Sequence, residues 1–294
     1  RGGGAGGAPR GRGRGRQGTG SGGGPAPGRL TGDRARLAPV GVARLLGGGA
    51  WCTDATYGYS FTVTGAGHAT VLSGAYPHRS GIIANEWRDA VTGEPEYCTG
   101  DTRFGYIGNA TKPLDGTSPK NLKVETVGDV LKRMDSRSKV IAISGKDRGA
   151  ILPAGKTGTA YMYMSRSGQF ASSTFYMAQH PAWANAFNGQ KLADKYFRTQ
   201  WTALLPDAAY ARSLPDNQPW FGPRGGALPM TMGAPADSAP GPAFYRQLLA
   251  SPFVHALSLQ FARAATAGEG PAQDPSPRLP ARSRPGPQLV DPPP

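Results

Sequence analysis

The residue whose setting most invites chemistry is Thr64, in the run Tyr59-Ser-Phe-Thr-Val-Thr-Gly-Ala-Gly-His68. It stands at a glycine-flanked point where a helix is expected to begin, one that continues through His68 to Ser73 and stops at Gly74. Free backbone N–H groups and the positive end of the helix dipole would then lie beside its hydroxyl, where they can stabilise an alkoxide or hold a phosphoryl oxygen. That makes Thr64 a candidate nucleophile; the plainer alternative is that Thr62 or Thr64 simply caps the helix. A second polar group, Gly145-Lys-Asp-Arg-Gly149, sets Lys146 and Arg148 two positions apart. Two cations so close together could hold an anion, although a Lys-x-Arg pair alone also fits a solvated loop.

Both groups need elements to position them. Val124, Val127, Val130, Leu131 and Met134 recur at helical spacing with charges between them, which predicts an amphipathic helix over 124–134. Lys139-Val-Ile-Ala-Ile-Ser144 follows, a short apolar run that reads as a buried parallel strand whose carboxyl end carries the polar turn Gly145–Gly149. A helix feeding such a strand is the usual geometry of an α/β active site. Residues 160–250 are rich in Tyr, Trp, Phe, Pro and Asn and read as a loop-rich excursion covering a site.

The flanks have another texture. Gly and Pro account for 72 of 294 residues and crowd toward the ends, a level at which unstructured segments are expected. Residues 1–36 carry almost no large apolar side chains, and 268–294 are Pro-rich, so neither buries enough surface to offset the entropy of ordering. The formal charge of +14 is concentrated in the same place: residues 1–50 hold nine arginines against Asp33 alone. The central part is only mildly basic, which weakens the case for a nucleic-acid or membrane partner. Cys52 and Cys98 are too few for a multi-cysteine zinc site and leave one disulfide or two thiols open. No apolar run reaches the roughly 18 residues of a membrane span, and the first residues do not form a signal peptide.

Thr62-x-Thr64-x-x-x-His68-x-x-x-Leu72-x-Gly74-x-x-Pro77, followed by Gly81-Ile-Ile-x-Asn85, resembles the nucleophile region of the type I phosphodiesterase and nucleotide pyrophosphatase branch of the alkaline phosphatase superfamily. The resemblance implies that Thr64 attacks phosphorus and ligates zinc, and that Asn85 contacts a phosphoryl oxygen. Ser144-Gly-Lys-Asp-Arg-Gly-Ala-Ile151 is similar to the segment of the phosphate-irrepressible alkaline phosphatases whose Lys and Arg grip the phosphoryl group, which assigns that role to Lys146 and Arg148. Gly155–Tyr163, Gly168–Tyr176 and His180-Pro-Ala-Trp183 look like the same family's continuation and are expected to shape the pocket. The family mechanism is in-line displacement between two zinc ions through a phosphothreonine, acting on small phosphate esters, with a periplasmic or secreted location. The implied fold is α/β: an incomplete alkaline-phosphatase-like three-layer α/β/α core with a loop-rich cap insertion and disordered tails. The expected division is a tail at 1–36, the amino-terminal part of the core at 37–160, cap and partial core at 161–267, and a tail at 268–294.

The family's other metal ligands, an early Asp, an Asp-x-x-x-His, an Asp-His and a last His, have no counterpart here. His68, His78, His180 and His255 lie where the family does not place metal ligands. Both ends have the Gly/Arg/Pro/Ala bias of GC-rich coding sequence read out of frame. A truncated or frame-shifted product is therefore expected, with impaired zinc binding and hydrolysis. The alternatives are an inactive binding remnant and RNA binding through Arg10-Gly-Arg-Gly-Arg-Gly-Arg16, which lacks interleaved aromatics. Ser136-Arg-Ser-Lys139 with Lys156-Thr-Gly158 fails as a penicillin-binding pair on spacing, and Gly149–Thr157 has one residue too many between its glycines for a P-loop.

Overall fold

The computed structural model of the protein describes residues 42–52, 55–211, 213, 215, 227–270 and 278–283. The expected amino-terminal tail, with its Gly/Arg tract, and most of the carboxyl-terminal one lie outside the described residues. After a short helix α1 (Val42–Gly48), helix α2 spans Thr64–Ser73. It ends, as the sequence predicts, where Gly74 adopts the left-handed conformation (φ 68°) and returns its N–H to Thr70 O. A single turn, α3 (Pro77–Ser80), leads to the antiparallel pair β1 (Glu86–Arg88) and β2 (Pro95–Tyr97).

Helix α4 covers Val127–Met134, three residues shorter at its start than the spacing predicts. Thr126 is the reason: its hydroxyl accepts the Asp129 N–H at 3.1 Å and its own N–H donates to Asp129 Oδ2 at 2.9 Å, a capping box that fixes the first turn. The buried face also differs from the expected one. Val127 and Met134 are 47% and 78% exposed, whereas Gly128 and Asp129 are buried. A Cβ on Gly128 would stand 2.7 Å from Val140 Cγ1, so the helix lies directly against the next strand on its smallest residue.

Strand β3 (Lys139–Ser144) matches the expected segment, but the charged run after it is not a turn. Gly145 and Lys146 are the whole link, and helix α5 (Asp147–Ala154) begins immediately, because the alanines and Ile151 beyond Arg148 supply an apolar face for the sheet. Strands β4 (Thr159–Met164) and β5 (Gln169–Ala171) extend the same sheet, so it crosses the expected division at residue 160, and the following stretch contains regular sheet as well as loops. Pairing is parallel for β3/β4 and antiparallel for β4/β5. Among the described residues the other edge is β6 (Arg278–Ser283), parallel to β3, inside the segment expected to be a tail. An edge strand needs ladder bonds on one side only, which is how it tolerates Pro280.

Alternation along these strands sorts the core into layers. Ile143, Tyr161, Tyr163 and Phe170 face α6 (Ala182–Gly189), α7 (Pro242–Leu249) and α8 (Phe253–Gly268), where Phe261 stacks on Phe170 at 4.3 Å between centroids. Ala142, Ala160 and Met162 face the opposite way, onto Ala150, Ile151 and Ala154 of α5. The small residues on that side let α5 lie close to the sheet. Beyond it, Leu152 joins Ala69 of α2 with Ile82, Tyr97, Cys98 and Leu122 in one cluster. Helices thus cover both faces of the mixed sheet, and the two elements carrying Thr64 and Arg148 pack on each other. Among the described residues no helix is long and apolar enough to cross a membrane.

Candidate functional site

Thr64 is the first helical residue of α2, preceded by Val63 as N-cap, so its side chain sits at the helix mouth; the capping alternative does not apply to it. The next residue must be small. A Cβ on Gly65 would meet Ala84 O at 2.8 Å, Cys98 Sγ at 3.2 Å and Asn85 Oδ1 at 3.3 Å. That close approach brings Asn85 to the mouth, where its Oδ1 accepts the Gly65 N–H at 2.7 Å. Since that N–H requires an acceptor, the amide orientation follows from chemistry, and the Asn85 Nδ2 group is left as a donor with no bond to the described residues. The Asn85 backbone is fixed in turn by Cys98 N–H on its carbonyl at 2.9 Å.

One turn into α2, the buried His68 ring meets the Thr64 carbonyl through Nδ1 at 2.8 Å. The carbonyl can only accept, so Nδ1 carries the hydrogen. Burial holds the His68 pKa below its usual value, a tendency the Thr64 bond opposes and the nearby Arg148 charge reinforces.

Helix α5 brings the cations. Lys146 is its half-buried N-cap and Arg148 its second residue, at the end of a helix whose dipole disfavours positive charge. Asp147, between them, offsets part of that cost; a bound anion would offset more. The Arg148 Nη1 donates to the Tyr97 hydroxyl at 2.6 Å, and Tyr97 donates to Asp147 Oδ1 at 2.7 Å. Asp147 Oδ2 accepts the Gly116 N–H at 2.9 Å, and a Cβ on Gly116 would collide with that carboxylate and with the Thr99 hydroxyl. Arg148 Nε is buried and has no hydrogen-bond partner among the described residues. Burial pushes the Tyr97 phenol far above its usual pKa, and the Asp147 charge adds to the effect.

The structure therefore joins Thr64 and Asn85 through Gly65, and joins Arg148 to the same neighbourhood through Tyr97 and Cys98, with Lys146 capping the Arg148 helix. Tyr97, Asp147 and Gly116 were not singled out from sequence. An acidic residue between two cations is the one local signal that could have found Asp147; nothing local marks the other two.

A metal centre finds less support. Among the described residues no group of three or more His, Cys, Asp or Glu side chains could hold an ion. Asp147 is committed to Tyr97 and Gly116, and Asp101 to Arg103 and Ser118. These donors do not fit the two-zinc site expected from the resemblance. Cys52 and Cys98 are both free thiols, the first exposed and the second buried.

A family model for type I phosphodiesterase / nucleotide pyrophosphatase matches residues 40–224. The chain is 37% identical over 242 residues to alkaline phosphatase PhoV of Synechococcus elongatus, a match covering 80% of this chain and 43% of that protein. It is 34% identical over 230 residues to alkaline phosphatase PafA of Elizabethkingia meningoseptica, covering 78% and 42%. Its fold is similar to the crystal structure of PafA with a TM-score of 0.74 at 28% identity, covering 86% of this chain and 49% of that one. A second PafA structure, with the same TM-score and 27% identity, carries substitutions of one Thr, one Asn, one Lys and one Arg together. That Thr and Asn are 21 positions apart and that Lys and Arg two, the separations of Thr64 from Asn85 and of Lys146 from Arg148. The chain spans less than half the length of the curated relatives it matches.

Proposed function

The chain belongs to the type I phosphodiesterase / nucleotide pyrophosphatase family, and from that premise we propose that it carries the phosphoryl-holding half of a phosphate monoesterase. Thr64 is the nucleophile: its Oγ forms the new bond to phosphorus, the ester alcohol departs, and water later releases inorganic phosphate from the phosphothreonine. Asn85 Nδ2, Lys146 and Arg148 bind the phosphoryl oxygens. Their charge favours a monoester dianion over a diester. What supports this reading is the Asn85 side chain locked to Gly65, the residue after Thr64, with its amino group uncommitted among the described residues, together with an arginine on the helix packed against α2 whose Nε has no partner among the described residues.

Alkaline phosphatases of this kind are metalloenzymes in general, and zinc is the metal the resemblance implies. Because the described donors do not form its site, no step is assigned to it, and weak turnover by this chain is expected. The same observation favours a second reading, a phosphate-binding protein without turnover. In either case the ligand is a small phosphate ester or phosphate itself, and a periplasmic or secreted setting follows from the resemblance.

The test is hydrolysis of p-nitrophenyl phosphate and its bis-ester, with and without added zinc, alongside equilibrium dialysis of labelled inorganic phosphate. Thr64→Ala is expected to abolish hydrolysis and retain phosphate binding; Arg148→Ala is expected to weaken binding to a lower but still measurable affinity. Hydrolysis undiminished in Thr64→Ala, or binding undiminished in Arg148→Ala, sinks the assignment. Binding without hydrolysis by the unaltered chain selects the second reading.

A further inference from the structure

Arg148 sits beside a carboxylate that it does not directly grip. Its Nη1 is 3.8 Å from Asp147 Oδ1, and the Tyr97 hydroxyl lies between them, 2.6 Å from the guanidinium and 2.7 Å from the carboxylate. A guanidinium only donates hydrogen bonds and an ionised carboxylate only accepts them, so a group between them must accept from the first and donate to the second, and a phenol does both. Tyr97 is buried at 7% exposure, which leaves it few alternative partners. Asp147 is meanwhile held back by two backbone donors, Gly116 at 2.9 Å and Arg148's own N–H at 2.7 Å.

Without the phenol, Asp147 Oδ1 would lose its hydroxyl donor, and Arg148 Nη1, 3.8 Å away, would close on it as a direct ion pair. That pair would engage the guanidinium with a permanent anion and leave less of its charge for a transient one. With the phenol in place Nη1 is fixed, and the Nε and Nη2 edge stays uncommitted among the described residues. We infer that Tyr97 is a positioning residue, which orients Arg148 toward the phosphoryl site while keeping Asp147 from neutralising it. This inference rests on the phosphoryl-binding reading above.

The experiment measures the dissociation constant for inorganic phosphate on the full chain by equilibrium dialysis, with the melting midpoint recorded for each variant. Tyr97→Phe is expected to weaken binding about tenfold, in line with the strength of a hydrogen bond to a charged group. Adding Asp147→Asn to Tyr97→Phe removes the competing charge and is expected to bring affinity back to within about threefold of the unaltered chain. Tyr97→Phe should cost nothing further in an Arg148→Ala background, because it acts through Arg148. A purely structural role for Tyr97 would give neither the recovery nor the non-additivity. If Tyr97→Phe binds like the unaltered chain while Arg148→Ala is weakened, or if the two losses add, this inference is overturned and the phosphoryl-binding reading stands. If Arg148→Ala has no effect, both fall. Should Tyr97→Phe fail to fold, Asp147→Asn alone decides: affinity at or above that of the unaltered chain supports the role, and a drop to the Arg148→Ala level refutes it.

Discussion

The Oδ1 atom of Asn85 accepts the backbone N–H of Gly65 at 2.7 Å, so the amide that would touch a bound phosphoryl group is itself fastened to the helix carrying Thr64. A helix-mouth N–H is used here to aim a side chain rather than to meet a ligand. The two halves of the Asn85 amide therefore have different jobs, and substitution can separate them.

Asn85→Asp keeps the acceptor for Gly65 and replaces the free donor with negative charge. Its melting midpoint should stay near that of the unaltered chain while phosphate binding disappears. Asn85→Ala should lose binding and also about 1 to 2 kcal/mol of stability, since the Gly65 N–H loses its partner. Differential scanning fluorimetry with phosphate dialysis distinguishes them; equal phosphate affinity in Asn85→Asp would contradict the assigned donor.

Gly65→Ala reverses the usual benefit of replacing a helical glycine. Two of the three atoms its Cβ would meet belong to side chains, but the nearest, at 2.8 Å, is the Ala84 carbonyl, and backbone yields least. A loss of about 1 to 3 kcal/mol in urea unfolding is expected from overpacking, together with weaker phosphate binding as Asn85 shifts. A stabilised variant would show that the mouth of α2 is looser than the distances indicate.

His68 predicts a pH dependence. Its folded pKa lies below the usual 6.5, so in the range beneath 6.5 the unfolded chain takes up a proton that the folded chain refuses. Stability should be complete above that value and decline as pH falls through it. Unfolding free energies measured from pH 8 to 5 should show the slope, and His68→Gln should flatten it. An unchanged slope in the variant would assign the effect elsewhere.

Asp129 anchors the link between α5 and β4. It accepts from Lys156 N at 2.9 Å, Thr157 N at 2.9 Å and Thr157 Oγ1 at 2.8 Å, besides both Thr126 donors. Asp129→Ala should cost about 3 kcal/mol, as two buried donors of Thr126 and three partly buried ones of Lys156 and Thr157 lose a charged acceptor at once. A cost below about 1 kcal/mol would mean that water or neighbouring oxygens replace it.

The parts of this fold legible in sequence are those fixed locally. Lys139–Ser144 reads as a strand because its apolar run is short and continuous, and α2 ends where Gly74 allows a positive φ. What escaped depends on distant residues. Tyr97 and Asp147 stand 50 positions apart, and no local pattern announces that one will hold the other. Hydropathy ranks Val127 and Met134 as interior and Gly128 as neutral, yet contact with Val140 requires the residue that has no side chain. The strand at Arg278–Ser283 was hidden by Pro280, harmless at a sheet edge but a deterrent in any isolated reading.

The sealed thiol of Cys98 gives the molecule its own reporter. It is fully buried against the Gly65 contact, and burial, helped by the Asp147 charge, pushes its pKa up to about 12, so it offers alkylating reagents neither access nor thiolate. Exposed Cys52 has no such shield and should label at once. The slow second modification then counts openings of the contact between Cys98 and α2, and a phosphate-dependent slowing of that clock would register occupancy of the site without any turnover at all.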